Sequence, residues 1–124
     1  TWIHAMTGRP ASFWTLAERS LDYAIASVGG IPPGFREKLL GAYRQMETYA
    51  EVPRVLAELK ARGIKLAILS NGDPDMLTEL VAASNLTNTF DAVISVAEVG
   101  VFKPSARVYA LVTDRFAVKP SDVT

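Results

Sequence analysis

The sequence contains no cysteine. That excludes a disulfide framework, a thiolate metal site and a cysteine nucleophile. It holds a single histidine, His4, with no second ligand or acid beside it at helical spacing, so a histidine-centred site has little to build on. Neither sign of charge is in excess, since 13 Lys and Arg balance 13 Asp and Glu. No basic stripe with interleaved aromatics stands out, and nucleic acid is not an expected partner. No apolar run approaches the roughly 20 residues that a membrane span needs. The start also lacks the basic-then-apolar order of a signal peptide. A cytoplasmic protein fits this pattern. What remains is an ordinary globular composition, 49% hydrophobic over 124 residues, enough for one domain of modest size.

The first 50 residues read as helical. Trp2, Ile3 and Met6 form one apolar stripe that Gly8-Arg9-Pro10 ends. Phe13, Leu16, Leu21, Ala24 and Val28 recur at helical spacing and predict a helix over 12–28. Gly29-Gly30-Ile31-Pro32-Pro33-Gly34 breaks it. Phe35, Leu39, Tyr43 and Met46 share one face of a third helix, expected to run to Tyr49.

From Val52 the grammar changes. Pro53 suits the first turn of a helix, where its missing N–H costs nothing. Val55, Leu56 and Leu59 form the expected inner face, Glu58 and Arg62 a surface pair, and Gly63 the stop. Residues 64–69 are a short apolar run with the character of a buried strand. Asp73-Pro74 is a strong helix start, with Asp73 as cap. Residues 92–96 form a second strand, preceded by Asp91 as a loop residue. Lys103-Pro104 then opens a helix with Val108, Leu111, Val112 and Phe116 inward, followed by a loop over residues 119–122. Helix and strand alternate, which predicts an α/β fold with parallel strands in a doubly wound, Rossmann-like core. Two strands are few for such a sheet. The chain opens in helix interior and closes at the onset of a strand, so a piece of a longer protein is expected.

The polar residues gather where such folds bind ligands, at the carboxyl ends of strands. Ser70, Asn71 and Gly72 end the first strand and precede a helix whose free N–H groups favour an anion. An ordinary Asn-Gly turn explains the same residues. Lys103 lies past the carboxyl end of the second strand, as Ser70 does of the first: either its stem packs between Phe102 and Pro104 with the ammonium aimed at a partner, or it is a solvated surface charge. Tyr109, near the start of its helix, either reaches that end or packs. Phe13 and Trp14 belong to the core, or one of them lines a pocket.

Together these segments resemble the haloacid dehalogenase superfamily, and within it the L-2-haloacid dehalogenases. The order is the family's: TWIHAMTGRPASFW in a helical cap, then EVPRVLAELKARGIKLAILSNG, then FDAVISVAEVGVFKPSARVYA, then KPSDVT. LAILSNG is similar to the family's second motif and KPSARVYA to its third. The resemblance implies a cap over residues 1–50 and part of the α/β core over residues 51–124. It implies hydrolysis of 2-haloalkanoic acids to 2-hydroxy acids through an aspartyl ester. Ser70 would orient the nucleophile, Lys103 would pair with it, Tyr109 would join the catalytic group, and Asn71 and Phe13 would contact substrate. No cofactor or metal is implied, and the partner is a small 2-haloacid.

The sequence departs from the family's pattern at its ends. The first motif, Asp-x-Tyr-Gly-Thr, which carries the nucleophile, is absent, and so is the last, Ser-Ser-Asn-x-x-Asp. The 124-residue piece is therefore expected to be inactive by itself. A Mg²⁺-dependent phosphatase of the same superfamily, or a non-catalytic α/β domain that binds a small anion or a partner, is the alternative. The exposed edge of the Ile64 strand would make the isolated piece prone to association; a homodimer is the expected assembly of the protein.

Overall fold

In the computed structural model, which describes residues 11–124, Ser12 caps the first helix: its Oγ accepts the N–H of Thr15 at 3.0 Å. The stripe expected over Trp2, Ile3 and Met6, and His4 with it, lie outside the described residues. Helix α1 spans Phe13–Ser27 and stops before Gly29 and Gly30, as its sequence predicts.

Helix α2 spans Phe35–Ala42, well short of the expected end at Tyr49. The N–H groups of Tyr43, Arg44 and Gln45 donate to the carbonyls of Leu40, Gly41 and Ala42, three residues back. That tightens the last turn and closes the helix. Gly41, a poor helix former, sits in this last turn. Arg44 then leaves the helix axis to pair with Asp75 at 3.3 Å and Glu79 at 2.8 Å. Periodicity along residues 35–49 registers the apolar face but not this distant pairing. The face itself, Phe35, Leu39, Tyr43 and Met46, is exposed among the described residues.

Helix α3 spans Val52–Ala61. Gly63 ends it at φ 76°, a left-handed conformation in which a Cβ would be strained. The N–H of Gly63 donates to Lys60 O at 2.9 Å and that of Ile64 to Leu59 O at 3.1 Å, the paired bonds of a Schellman cap. The surface pair is Arg54–Glu58 at 2.6 Å, not Glu58–Arg62. Arg62 is the C-cap residue, half out of the helix, so its side chain does not stack one turn above Glu58. Val55 is exposed and α3 buries none of its residues fully.

Strands β1 (Ala67–Ser70) and β2 (Ala92–Ser95) pair in parallel, Ala67 against Ala92 through Ser70 against Ser95. β1 starts three residues later than expected. The reason is Asp91: its N–H donates to Leu66 O at 2.8 Å, and its carboxylate accepts from Leu66 N at 2.9 Å and Lys65 Nζ at 2.8 Å. Lys65 and Leu66 thus spend their polar groups on the loop before β2. The Lys65 ammonium first, and the Leu66 N–H second, hold the Asp91 carboxyl below its ordinary range. β2 ends at Ser95, one residue early, because Val96–Glu98 turn into a 3₁₀ helix.

Helix α4 (Pro74–Ala83) crosses between the two strands, and α5 (Ala106–Phe116) follows β2. Lys103 and Pro104 stand before α5 in a turn, joined by a cis peptide bond, and Ser105 is the N-cap. The start expected at Lys103-Pro104 is therefore displaced. A short 3₁₀ helix, Pro120–Asp122, replaces the loop expected over those residues. Ile94 and Val108 are fully buried, and Leu16, Val96, Phe102 and Val108 form the core cluster. Leu16 comes from α1, so the helical segment shares its core with the α/β segment. Among the described residues no helix is long and apolar enough to cross a membrane.

Candidate active site

The parallel register places Ser70 and Ser95 side by side at the carboxyl ends of both strands. The loops beyond them converge. Asn71 Oδ1 accepts the N–H of Lys103 at 3.0 Å, and Lys103 Nζ donates to Leu69 O at 3.0 Å. Two bonds thus tie the segment after β2 to the end of β1. One orients the Lys103 backbone and the other sets its ammonium beside the strand end. The sequence expectation that Lys103 lies past a strand's carboxyl end, as Ser70 does, is met. Asn71 spends its carbonyl oxygen on this link, and among the described residues its NH2 group takes no acceptor. An amide so oriented can donate to a bound carboxylate.

Ser70 Oγ accepts the N–H of Gly72 at 3.0 Å. A serine hydroxyl that accepts in this way keeps its own hydrogen to donate. The same bond removes Gly72 from the expected set of bare N–H donors. At Gly72 space matters rather than φ: a Cβ there would stand 3.0 Å from Leu77 Cδ2, which would have to give by a few tenths of an ångström. Ser95, buried and not singled out in the sequence, fixes the loop from below. Its hydroxyl donates to Gly72 O at 2.7 Å and accepts from Ala97 N at 3.1 Å. The available signal was the register, since a second serine ends the second strand as Ser70 ends the first.

Asp73 occupies the N-cap position of α4 but makes no side-chain bond to its own helix. Its two carboxylate oxygens accept the N–H groups of Phe13, at 3.2 Å, and Trp14, at 2.9 Å. Asp73 therefore caps α1, about sixty residues away in sequence. The Asp-Pro dipeptide carries no sign of this, because the partner is distant in the chain. Phe13, held in this way, lines a pocket of 260 Å³ with Asn71, Asp73, Val96 and Phe102. Its ring meets Tyr43 edge-on at 6.4 Å. Tyr109 lies in the first turn of α5 and is half exposed, away from that pocket's lining.

Next to Phe13 in the chain, Trp14 lies under the Arg44 guanidinium, which is 4.3 Å from its ring centre, a cation–π distance. Glu79 first, with Asp75, raises the Arg44 pKa above its ordinary value. The Asp75 carboxyl is held below its usual range, first by the Met76 N–H, with Arg44 adding to it. With Asp73 at its N-cap and Asp75 in its first turn, α4 offers little attraction to a free anion.

The family model for haloacid dehalogenase-like hydrolases matches residues 2–124. (S)-2-haloacid dehalogenase 1 of Pseudomonas sp. strain CBS-3 is 40% identical over 99% of this chain and 55% of its own length. The (S)-2-haloacid dehalogenase of Xanthobacter autotrophicus is 43% identical over 99% of this chain and 48% of its own. A solved L-2-haloacid dehalogenase from Xanthobacter autotrophicus superposes with a TM-score of 0.86 at 42% identity, covering 96% of this chain and 48% of that one. A structure of that enzyme with chloropropionic acid covalently bound superposes with a TM-score of 0.85. The chain spans about half the length of the relatives it matches.

Proposed function

The chain belongs to the haloacid dehalogenase-like hydrolase family, and on that premise we propose that the whole protein hydrolyses L-2-haloalkanoic acids to 2-hydroxy acids. The observation that supports this most is the double tie of Lys103 to the end of β1, at the strand ends where the superfamily does its chemistry. Residues 1–50 belong to a cap and residues 51–124 to part of the α/β core.

In this reading an aspartate of the family's first motif attacks carbon 2 of the substrate. The carbon–halogen bond breaks, the halide leaves with its electron pair, and an aspartyl ester forms. Water then attacks the ester carbonyl, releases the 2-hydroxy acid and restores the carboxylate. Splitting one displacement into two steps is the gain of covalent catalysis. The Lys103 ammonium stands beside Leu69 O, where it would pair with the attacking carboxylate and keep it ionised. The Ser70 hydroxyl would donate to the same carboxylate. The Asn71 NH2 group would donate to the substrate carboxylate, and Phe13 would wall the pocket toward its alkyl group. Tyr109 joins this set on the resemblance alone. A homodimer and a cytoplasmic location complete the proposal.

Full-length protein assayed with (S)-2-chloropropionate and with a phosphomonoester, each with and without EDTA, tests the reading. Halide release that survives EDTA is expected. Phosphate release that EDTA abolishes, without halide release, would sink it in favour of a Mg²⁺-dependent phosphatase.

A further inference from the structure

We infer that Asp73 is a positioning residue: its carboxylate clamps the first turn of α1 to the loop after β1 and so holds Phe13 in the pocket that Asn71 also lines. This rests on the dehalogenase reading for its substrate. The clamp itself stands on geometry alone.

Four observations meet at one place. The first N–H groups of a helix have no partner within it, and Asp73 supplies both Phe13 and Trp14 with one oxygen each. A carboxylate at a helix N-terminus is also favoured by the helix dipole. Two residues earlier on the same loop, Asn71 holds Lys103. One short loop therefore ties the helical segment with one side chain and the proposed catalytic lysine with another. The Trp14 ring is pinned separately by Arg44, which reaches Glu79 and Asp75 on α4. One turn further along α1, Leu16 is buried in the core cluster with Val96, Phe102 and Val108. The start of α1 is thus fixed to the α/β segment at its backbone, at an aromatic ring and at an apolar side chain.

The consequence is specific to the pocket. Phe13 and Asp73 both line it. A wall set by the partner of a fixed carboxylate is pre-organised, and pre-organisation acts on substrate binding. Loss of the clamp should loosen Phe13 while leaving Lys103 and Ser70 in place, so the effect should fall on KM rather than on kcat.

Full-length wild type, Asp73→Asn and Asp73→Ser separate this role from a local one. Serine is a good N-cap for α4 but is too short to reach α1, whereas asparagine keeps the reach and one acceptor. The readouts are amide hydrogen exchange at Phe13 and Trp14 by NMR, and KM and kcat for (S)-2-chloropropionate. For Asp73→Ser, exchange at these two amides should accelerate at least about tenfold. Its KM should rise about tenfold with kcat within about twofold of wild type. Asp73→Asn should fall between the two. Unchanged exchange in Asp73→Ser would remove the clamp. Faster exchange with an unchanged KM would leave Asp73 a structural tie and overturn the positioning role. If the wild type releases no halide, the substrate reading and the positioning role fall together, and the exchange data still decide the clamp.

Discussion

The side chain of Asn71 accepts the backbone N–H of Lys103 at 3.0 Å, across the carboxyl ends of two parallel strands. This bond makes two loops into one site. It also divides Asn71 into a structural half, its carbonyl oxygen, and an NH2 group that takes no acceptor among the described residues.

The two halves can be separated. Asn71→Ala leaves the part-buried Lys103 N–H without its acceptor, and stability should fall by about 1–2 kcal/mol. Asn71→Asp keeps the acceptor, so its thermal midpoint should stay near wild type, but a negative charge replaces the donor that the proposed function assigns to the substrate carboxylate. KM for 2-chloropropionate should then rise at least about tenfold. Thermal melts and steady-state kinetics on the full-length protein check both.

Lys103→Ala removes the ammonium beside Leu69 O. Loss of one preorganised charge at a reacting centre costs roughly a hundredfold or more in kcat, and that is the expected fall in halide release. Lys103→Arg should rescue little, because the larger planar group does not fit a single carbonyl contact. Turnover of Lys103→Ala within a few fold of wild type would remove Lys103 from the site.

Gly72→Ala tests the loop's packing. The added Cβ would stand 3.0 Å from Leu77 Cδ2, closer than carbon atoms comfortably approach. Leu77 is buried, and overpacking of this kind costs about 1–3 kcal/mol. A fall of a few degrees in the thermal midpoint is expected, because the buried Leu77 must shift by a few tenths of an ångström.

Asp91 gives the pH dependence. Its carboxyl is held below the ordinary range, first by Lys65 and then by the Leu66 N–H. A depressed value means that the stabilisation is complete above the unfolded-state value of about 4 and is lost as pH falls through the folded value. Asp91→Asn should therefore melt below wild type at neutral pH, and the gap should close as the pH falls below about 4. Melts from pH 7 down to acid check the sign. A gap that widens in acid would contradict it.

Much of this was legible in the sequence because it is local. Apolar spacing and Pro-Gly punctuation placed α1, α3, α4 and the two strands within a few residues. The strand-end rule put Ser70, Asn71 and Lys103 at one end of the sheet. What escaped was decided by residues far apart in the chain. Helix α2 ends early where Arg44 turns toward Asp75 and Glu79. β1 starts late because Asp91 occupies Leu66. Asp73 looks like a cap for the helix it begins, yet it caps α1. Ser95 carries no local mark, and only the strand register reveals that it holds Gly72.

The central claim is that a carboxylate displaces halide at carbon 2 and that water then opens the ester without touching that carbon. One displacement inverts configuration, and hydrolysis at the ester carbonyl preserves the inverted centre. Chiral analysis of the product formed by the full-length protein from (S)-2-chloropropionate tests this most directly. The expected result is (R)-2-hydroxypropionate with one equivalent of chloride. Product of retained configuration, or no chloride release, would contradict the account.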